Sequence, residues 1–262
     1  MTFKDLGLKD SILESISKLG FETPSPIQEQ VIPYLLNNES DIVGLAQTGT
    51  GKTAAFGLPL IHLAEPTEKY IQSLVLAPTR ELCVQIATEL KRYSSMLKDI
   101  RIVAVYGGED IRKQLKELDH TPHILVATPG RLIDLKERGK VNLSQIKHLV
   151  LDEADEMLNM GFLDSINEVL SHVPEQRKML MFSATMPPEI DKIAKTYMHN
   201  PVEFVVGQRN EGVANVNHIY YMVHARDKYL ALKRIADNNP SIYAIIFCRT
   251  RRDTQEIADK LI

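Results

Sequence analysis

The stretch Leu149–Asp155 reads Leu-Val-Leu-Asp-Glu-Ala-Asp, and it sets the interpretation of the whole chain. Three successive apolar residues, rather than an alternation of apolar and polar ones, are typical of a strand covered on both faces in a parallel sheet. The apolar run ends in Asp152 and Glu153, and Asp155 follows. Ligands of parallel sheets bind at the carboxyl ends of the strands. These carboxylates are therefore predicted to lie at a ligand site.

Similar apolar runs recur along the first two hundred residues and alternate with amphipathic helical patterns. The strand candidates are Asp41–Leu45, Ser73–Ala77, Arg101–Tyr106, His123–Ala127, His148–Asp152 and Lys178–Phe182. Strands that alternate with helices favour right-handed βαβ units. We therefore predict a doubly wound parallel α/β domain over residues 1–206.

The bulk composition excludes several classes of protein. The chain has 262 residues, of which 44% are hydrophobic and 25% charged, and its net charge of −3 argues against a highly basic nucleic-acid coat. A local row of Lys and Arg is still enough to bind phosphates. The two cysteines lie far apart, outside any metal-ligand spacing, and no apolar run approaches the roughly 18 residues of a membrane helix. A cytoplasmic protein is expected.

The pattern changes after residue 206. The polar stretch 207–217 predicts a linker, and a second unit at 218–262 is predicted to contain strands His218–Val223 and Ile242–Cys248 and helices Asp227–Ala236 and Arg252–Leu261. A unit of about 45 residues is close to the lower limit for independent folding. We expect it to be the beginning of a second, incomplete domain. Unpaired strand edges predict self-association of this form, whereas the full-length protein is expected to be a monomer.

The stretch Ala46–Thr53 predicts a loop that holds nucleotide phosphates. Gly49 and Gly51 permit unusual backbone angles, and the following helix directs its positive end to the same point. Lys52 would reach the β- and γ-phosphates, and the Thr53 hydroxyl would ligate Mg²⁺. The general pattern begins with Gly, so the match is imperfect, and the alternative is a glycine-rich turn with a solvated lysine. The predicted phosphate-binding residues are Ala46, Gln47, Thr48, Gly49, Thr50, Gly51, Lys52 and Thr53.

The acidic residues after the strand suit the chemistry of nucleotide hydrolysis. Asp152 can hold Mg²⁺ through water, as a second-strand aspartate does in phosphate-loop enzymes. Glu153 can orient and deprotonate the attacking water. The alternative is a solvated acidic helix start. Because both motifs occur in the required order, Lys52, Asp152 and Glu153 are predicted to be catalytic residues of a nucleoside-triphosphate hydrolase.

With these motifs in place, the sequence resembles the DEAD-box family of ATP-dependent RNA helicases over essentially the whole chain. The resemblance implies a fold of RecA-like, phosphate-loop type followed by a truncated second RecA-like domain. Phosphate loops of this family commonly begin with Ala, as here at Ala46. Gly20–Gln28 is similar to the family's adenine-reading motif, which places the family's adenine-reading segment at about residues 1–29.

Adenine recognition has a physical basis in this motif. The Gln28 amide both donates and accepts hydrogen bonds, which suits the N6 and N7 positions of adenine and would select ATP over GTP. The resemblance implies that Phe21 stacks on the base. Two alternatives stay open at this stage: Gln28 caps the helix Glu29–Leu36, and Phe21 packs in the core.

The remaining motifs imply RNA binding and its coupling to ATP. The residues that the resemblance assigns to RNA are Thr79, Arg80, Gly107, Gly108, Thr128 and Arg131. Contacts to the RNA backbone predict binding that is independent of base sequence. Ser183 and Thr185 resemble the coupling motif, and their hydroxyls are predicted to bond Asp155. The alternative is a helix N-cap before Pro187 and Pro188.

The resemblance implies an enzyme that couples ATP binding and hydrolysis to local RNA unwinding, with ATP and Mg²⁺ as cofactors. In this family, arginines that complete the ATP site occur later in the second domain. This 262-residue chain is therefore expected to bind ATP but to hydrolyse it poorly. An ATP-gated RNA clamp without unwinding activity is the alternative. A DNA translocase is disfavoured by the adenine motif and by the Ser-Ala-Thr motif.

Overall fold

A computed structural model describes residues 1–206, 217 and 219–261. The chain divides into two compact units, Met1–Glu211 and Gly212–Ile262. The predicted linker lies outside the described residues except for Asn217. Within the described ranges, no helix has both the length and the apolar character to cross a membrane.

The first unit is built on one parallel sheet of seven strands. The strands are β1 Ile42–Ala46, β2 Ser73–Leu76, β3 Ile102–Val105, β4 Ile124–Ala127, β5 His148–Leu151, β6 Lys178–Ser183 and β7 Val202–Val206. They are arranged in the order β3-β4-β2-β5-β6-β1-β7, and every neighbouring pair is parallel. The six predicted strands and the predicted doubly wound parallel sheet are confirmed.

The seventh strand, β7, was absent from the sequence prediction. It forms one edge of the sheet, where Val202 pairs with Ile42 of β1. Its side chains alternate between half-buried and exposed positions, and Glu203 is among the exposed ones. An edge strand of this kind lacks the continuous apolar run that identified the others.

Nine helices described in the first unit connect these strands. They are α1 Asp10–Lys18, α2 Pro26–Asn37, α3 Lys52–Leu63, α4 Arg80–Tyr93, α5 Ile111–Leu118, α6 Pro129–Glu137, α7 Ala154–Asn159, α8 Leu163–Leu170 and α9 Pro188–Tyr197. A short 3₁₀ helix, Phe3–Leu6, precedes them.

The hydrophobic core lies on both faces of the sheet. Within β5, Leu149 and Leu151 belong to the cluster on one face and Val150 to the cluster on the other, and all three are fully buried. The successive apolar residues of β5 are thus required because each face is covered. The buried strands hold the loops at their carboxyl ends in fixed positions.

Strand order brings three of the predicted motifs to one edge. β6 lies between β5 and β1 and pairs with both. The phosphate loop follows β1, the acidic residues follow β5, and the Ser-Ala-Thr motif begins at the end of β6. Because parallel strands end at the same edge of a sheet, these motifs converge there.

The second unit contains a 3₁₀ turn at Ala225–Asp227 and two helices, α10 Lys228–Asp237 and α11 Arg251–Leu261. Both predicted helices are confirmed within one residue at each end. A hydrogen bond links the two helices: the Tyr229 hydroxyl donates to the Lys260 carbonyl at 2.6 Å.

The two strands predicted in the second unit are wrong for the residues that the structure describes. Neither 219–223 nor 242–248 forms a strand, and side chains such as Met222 and Tyr243 are almost completely exposed. A strand is stabilised by hydrogen bonds to a neighbour and by burial of a face. In the described part of this unit, these apolar runs have neither a neighbouring strand to pair with nor a buried face.

Candidate nucleotide and nucleic-acid site

The phosphate loop turns sharply between β1 and α3. The backbone NH and the hydroxyl of Thr50 both donate to the Gln47 carbonyl, at 3.4 and 2.7 Å. Gly49 and Gly51 have φ values of +84° and +91°, which side-chain-bearing residues rarely adopt. Lys52 begins α3, so the positive end of that helix faces the loop. The loop therefore has the backbone form of an anion-binding turn.

Gln28 links the phosphate loop to α2. Its side-chain nitrogen donates to the Gly51 carbonyl at 3.0 Å, and its side-chain oxygen accepts from the Ser25 backbone NH at 2.9 Å. A methyl group on Gly51 would lie only 2.3 Å from that nitrogen, so Gly51 is required by contact as well as by φ. The alternative that Gln28 caps a helix starting at Glu29 is wrong in its bounds, because α2 starts at Pro26 and Gln28 is its third residue. The Gln28 side-chain oxygen nevertheless accepts a backbone NH at the start of that helix. These two contacts use one N–H and one lone pair of the amide and leave the others available to a ligand.

Ser25 is a site residue that the sequence reasoning missed. It is the N-cap of α2, and Gln28 three residues later accepts from its backbone NH at 2.9 Å, which is one half of a capping box. The pattern Ser-x-x-Gln before an apolar run is a recognised signal of a helix start and was available in the sequence.

Lys52 and Glu153 bring the phosphate loop and the acidic residues into contact. The Lys52 ammonium donates to the Glu153 carboxylate at 3.0 Å, and Lys52 is only 5% exposed. The Thr48 hydroxyl lies 3.4 Å from the same carboxylate oxygen. Glu153 has φ +51° and ψ +53°, a strained conformation for a glutamate and one that is typical of functional sites.

Asp152 is a buried carboxylate beside this pair. Burial raises its pKa to about 7, and the Lys52 ammonium partly opposes that shift. A bound cation would favour the ionised form, and Thr53 offers a hydroxyl on the same loop as Lys52. These hard oxygen donors fit Mg²⁺, which takes few protein ligands and completes its shell with phosphates and water. No cluster of three or more metal-ligating His, Cys, Asp or Glu side chains occurs in the described ranges.

Asp155 connects the acidic residues to the end of β6. One of its oxygens accepts from the Thr185 backbone NH at 2.9 Å and from the Thr185 hydroxyl at 2.7 Å. The Asp155 backbone NH donates to the Ser183 hydroxyl at 3.3 Å. These hydrogen bonds outweigh burial and lower the pKa of Asp155. The N-cap of α9 is Pro187, so neither hydroxyl caps that helix.

Two of the residues assigned to RNA are engaged in local structure. The Thr79 hydroxyl accepts from the Leu82 backbone NH at 3.2 Å and caps α4. The Thr128 hydroxyl accepts from the Gly107 backbone NH at 3.3 Å, which ties the end of β4 to the Gly-Gly turn. The second of these hydrogen bonds brings two of the predicted RNA-binding residues, Thr128 and Gly107, into contact.

Arg80 lies against the same turn. Its guanidinium donates to the Gly108 carbonyl at 3.3 Å and covers the ring of Tyr106 at 5.2 Å from the centroid. It also lies 3.6 Å from the carboxylate of Glu109. Sequence reasoning did not find Glu109 or Tyr106, and their position beside the Gly-Gly pair was the only available signal.

Arg131 approaches the turn from α6. Its guanidinium donates to the Gln114 side-chain oxygen at 2.8 Å and to the Glu109 carbonyl at 3.2 Å. The two predicted RNA-binding arginines therefore meet at one residue, Glu109.

Phe21 packs between two other aromatic rings. Its centroid lies 5.7 Å from Phe3 and 5.7 Å from Tyr93. Phe3 is buried, whereas Phe21 is only partly buried and leaves part of its ring open to solvent. Both alternatives for Phe21, core packing and base stacking, are compatible with this position.

Comparison with known proteins gives consistent matches. The family model for the DEAD/DEAH box helicase matches residues 25–193. The chain is 44% identical over 260 residues to the DEAD-box ATP-dependent RNA helicase CshA of Geobacillus kaustophilus, a match that covers 99% of this chain and 55% of the relative. It is 45% identical to the ATP-dependent RNA helicase DeaD of Haemophilus influenzae, covering 100% of this chain and 42% of the relative.

The fold gives the same result. A crystal structure of a DEAD box protein from the hyperthermophile Methanococcus jannaschii superposes with a TM-score of 0.75 at 42% identity and covers 100% of this chain and 70% of that one. The chain spans about half the length of the two curated relatives. The family match, the sequence identity and the RecA-like sheet together show that this chain belongs to the DEAD/DEAH box helicase family.

Proposed function

We propose that these residues bind ATP and Mg²⁺ and belong to an ATP-dependent RNA helicase, which couples ATP binding and hydrolysis to RNA binding and local duplex unwinding. The observation that carries the proposal is the 3.0 Å contact between Lys52 and Glu153. It brings a phosphate-binding loop and a candidate general base to one point. The relatives' names as ATP-dependent RNA helicases support it.

The residues have distinct roles in this proposal. Lys52 leaves Glu153 to bind the β- and γ-phosphates, and Glu153 is then free to orient and deprotonate the attacking water. Thr53 and Asp152 would hold Mg²⁺, which neutralises phosphate charge when bound. Asp155 is linked through Thr185 to β6, so a change at the acidic residues can reach the neighbouring loop.

RNA is proposed to bind through its backbone at the surface that carries Arg80 and Arg131. Backbone contacts carry no base information, so binding would be independent of sequence. A polypeptide of these 262 residues is expected to bind ATP and hydrolyse it slowly. The resemblance assigns the arginines that complete the site to a later part of the second domain, and an arginine of that kind is worth about 10³–10⁵ in rate.

Two assays test the proposal. Steady-state ATP hydrolysis should be slow in the 262-residue polypeptide and stimulated by RNA in a longer protein that carries the complete second domain. Displacement of a strand from a short RNA duplex by that longer protein separates a helicase from an RNA clamp. Failure of the 262 residues to bind ATP would refute the proposal, and strong RNA-stimulated turnover by them alone would refute the dependence on later motifs.

A further inference from the structure

Three cationic side chains converge on Glu109. The Arg80 guanidinium lies 3.6 Å from one carboxylate oxygen, and the Lys113 ammonium lies 2.9 Å from the other. Arg131 donates to the backbone carbonyl of the same residue at 3.2 Å. Glu109 therefore places a carboxylate among three cationic side chains, two of which are the arginines assigned to RNA.

The Arg80 guanidinium is held in place around this contact. The Tyr106 ring covers one of its faces, and the Gly108 carbonyl accepts from one of its nitrogens. The side chain is still 46% exposed, so a ligand can reach it. Guanidinium groups bind carboxylates and phosphates with the same planar donor edge, and the two ligands therefore compete.

We infer that Glu109 is an intramolecular competitor of RNA, a carboxylate that an RNA phosphate must displace from Arg80. The inference rests on the proposed function and adds a residue that sets RNA affinity. Glu109 thereby pairs with Arg80 in the absence of RNA and raises the RNA concentration needed for binding.

The charge and surroundings of Glu109 suit this exchange. Its hydrogen bond to Lys113 and the charges of Lys113 and Arg80 lower its pKa, so it remains a carboxylate at neutral pH. Exposed ion pairs are weak, which allows a phosphate to displace one. Lys113, four residues after Glu109, can retain the displaced carboxylate. Near a bound phosphate, however, the remaining negative charge opposes binding.

The test measures RNA binding after removal of this charge alone. The variant is Glu109→Gln, and the matched control is Glu117→Gln, an exposed glutamate of α5 with no ion pair in the described part of the chain. The protein used is the longer one that carries the complete second domain. It is titrated against a fluorescent single-stranded oligouridylate by anisotropy at low ionic strength, with Mg²⁺ and a non-hydrolysable ATP analogue. Glu109→Gln should tighten RNA binding about three- to fivefold, and Glu117→Gln should change it less than twofold.

Two further measurements fix the mechanism. In an Arg80→Ala background, Glu109→Gln should give less than half of the gain in RNA affinity that it gives alone. The guanidinium for which Glu109 and the phosphate compete is absent from that background. The slope of log affinity against log salt should change by less than about 0.7 in Glu109→Gln, because Arg80 neutralises the same phosphate in both proteins.

The outcomes separate the inference from the proposed function. If the unmodified protein binds RNA but Glu109→Gln leaves binding unchanged or weakens it, the inference is wrong and the proposed function stands. Weaker binding would mean that Glu109 positions Arg80 instead of competing for it. If neither protein binds RNA at low salt, the proposed RNA function fails and the inference fails with it.

Discussion

The ammonium nitrogen of Lys52 lies 3.0 Å from a carboxylate oxygen of Glu153, although 101 residues separate them in sequence. Both groups are almost enclosed, with side chains 5% and 17% exposed. The predicted chemistry needs each of them elsewhere, Lys52 on phosphate and Glu153 on water. The pair must therefore open when ATP binds, and its two members should fail differently when mutated.

The first prediction separates the roles of the pair. Lys52→Ala should weaken ATP binding about 10- to 100-fold, because charge-assisted bonds to phosphate are lost. Glu153→Gln should keep ATP binding within about threefold and lower single-turnover hydrolysis about 10²- to 10⁴-fold, because a general base is lost. Titration with a fluorescent ATP analogue and quenched single-turnover assays measure the two effects. An equal loss of nucleotide affinity in both variants would contradict these roles.

The second prediction concerns the choice of nucleotide. Gln28→Ala should weaken ATP binding about tenfold and leave GTP binding nearly unchanged, because the paired donor and acceptor for adenine are lost. Gln30→Ala removes an exposed amide from the same helix and serves as the control. Competition binding against a fluorescent ATP analogue gives both affinities.

Gln28 also caps α2 and contacts Gly51, so its loss lowers stability as well. Thermal unfolding without nucleotide separates the two effects. A drop in ATP affinity that scales with the loss of stability, and is matched by an equal drop for GTP, would argue against adenine reading.

The sequence predicted the first unit well because its buried strands have an unambiguous signal. Runs such as Leu149-Val150-Leu151 are apolar on successive residues only when both faces of a sheet are covered, and the structure has that arrangement. Once the strands are parallel, the loops after β1, β5 and β6 must meet. The proximity of Lys52 to Glu153 follows from this topology.

Other features depend on neighbours that a local pattern does not contain. β7 is half-exposed, so its side chains alternate in a way that many surface segments share. The apolar runs 219–223 and 242–248 resemble buried strands, yet the described part of the second unit provides no paired neighbour. The proposed role of Glu109 depends on its ion pairs with Arg80 and Lys113. The pair with Arg80 joins residues that are far apart in sequence.

The third prediction tests the link between the acidic residues and β6. Thr185→Val should preserve ATP binding but reduce RNA-stimulated strand displacement by the longer protein more than tenfold, because the 2.7 Å bond to Asp155 is lost. Thr88→Val is the control, since the exposed Thr88 hydroxyl donates back to the Val84 carbonyl within α4. Comparable loss of displacement in both variants would assign the effect to general destabilisation.

The fourth prediction concerns the opposite edge of the sheet, where His148 begins β5. Burial, together with the positive charges of Lys178 and Lys147, lowers the pKa of His148 to about 4. Asp41 and Glu175 line the same cleft, which has a volume of about 660 Å³. The imidazole is therefore neutral in the folded protein at pH values where it is protonated in the unfolded chain.

The sign of the pH dependence follows from this difference. The unfolded histidine has a pKa of about 6.5, so its stabilising contribution is complete above that pH and is lost as the pH falls toward 4. Between pH 7.5 and pH 5 the loss amounts to about 2 kcal/mol. His148→Gln should remove this part of the pH dependence, whereas His120→Gln, at an exposed position, should retain it. Urea unfolding at the two pH values measures the effect, and a His148→Gln profile parallel to that of the unmodified protein would contradict it.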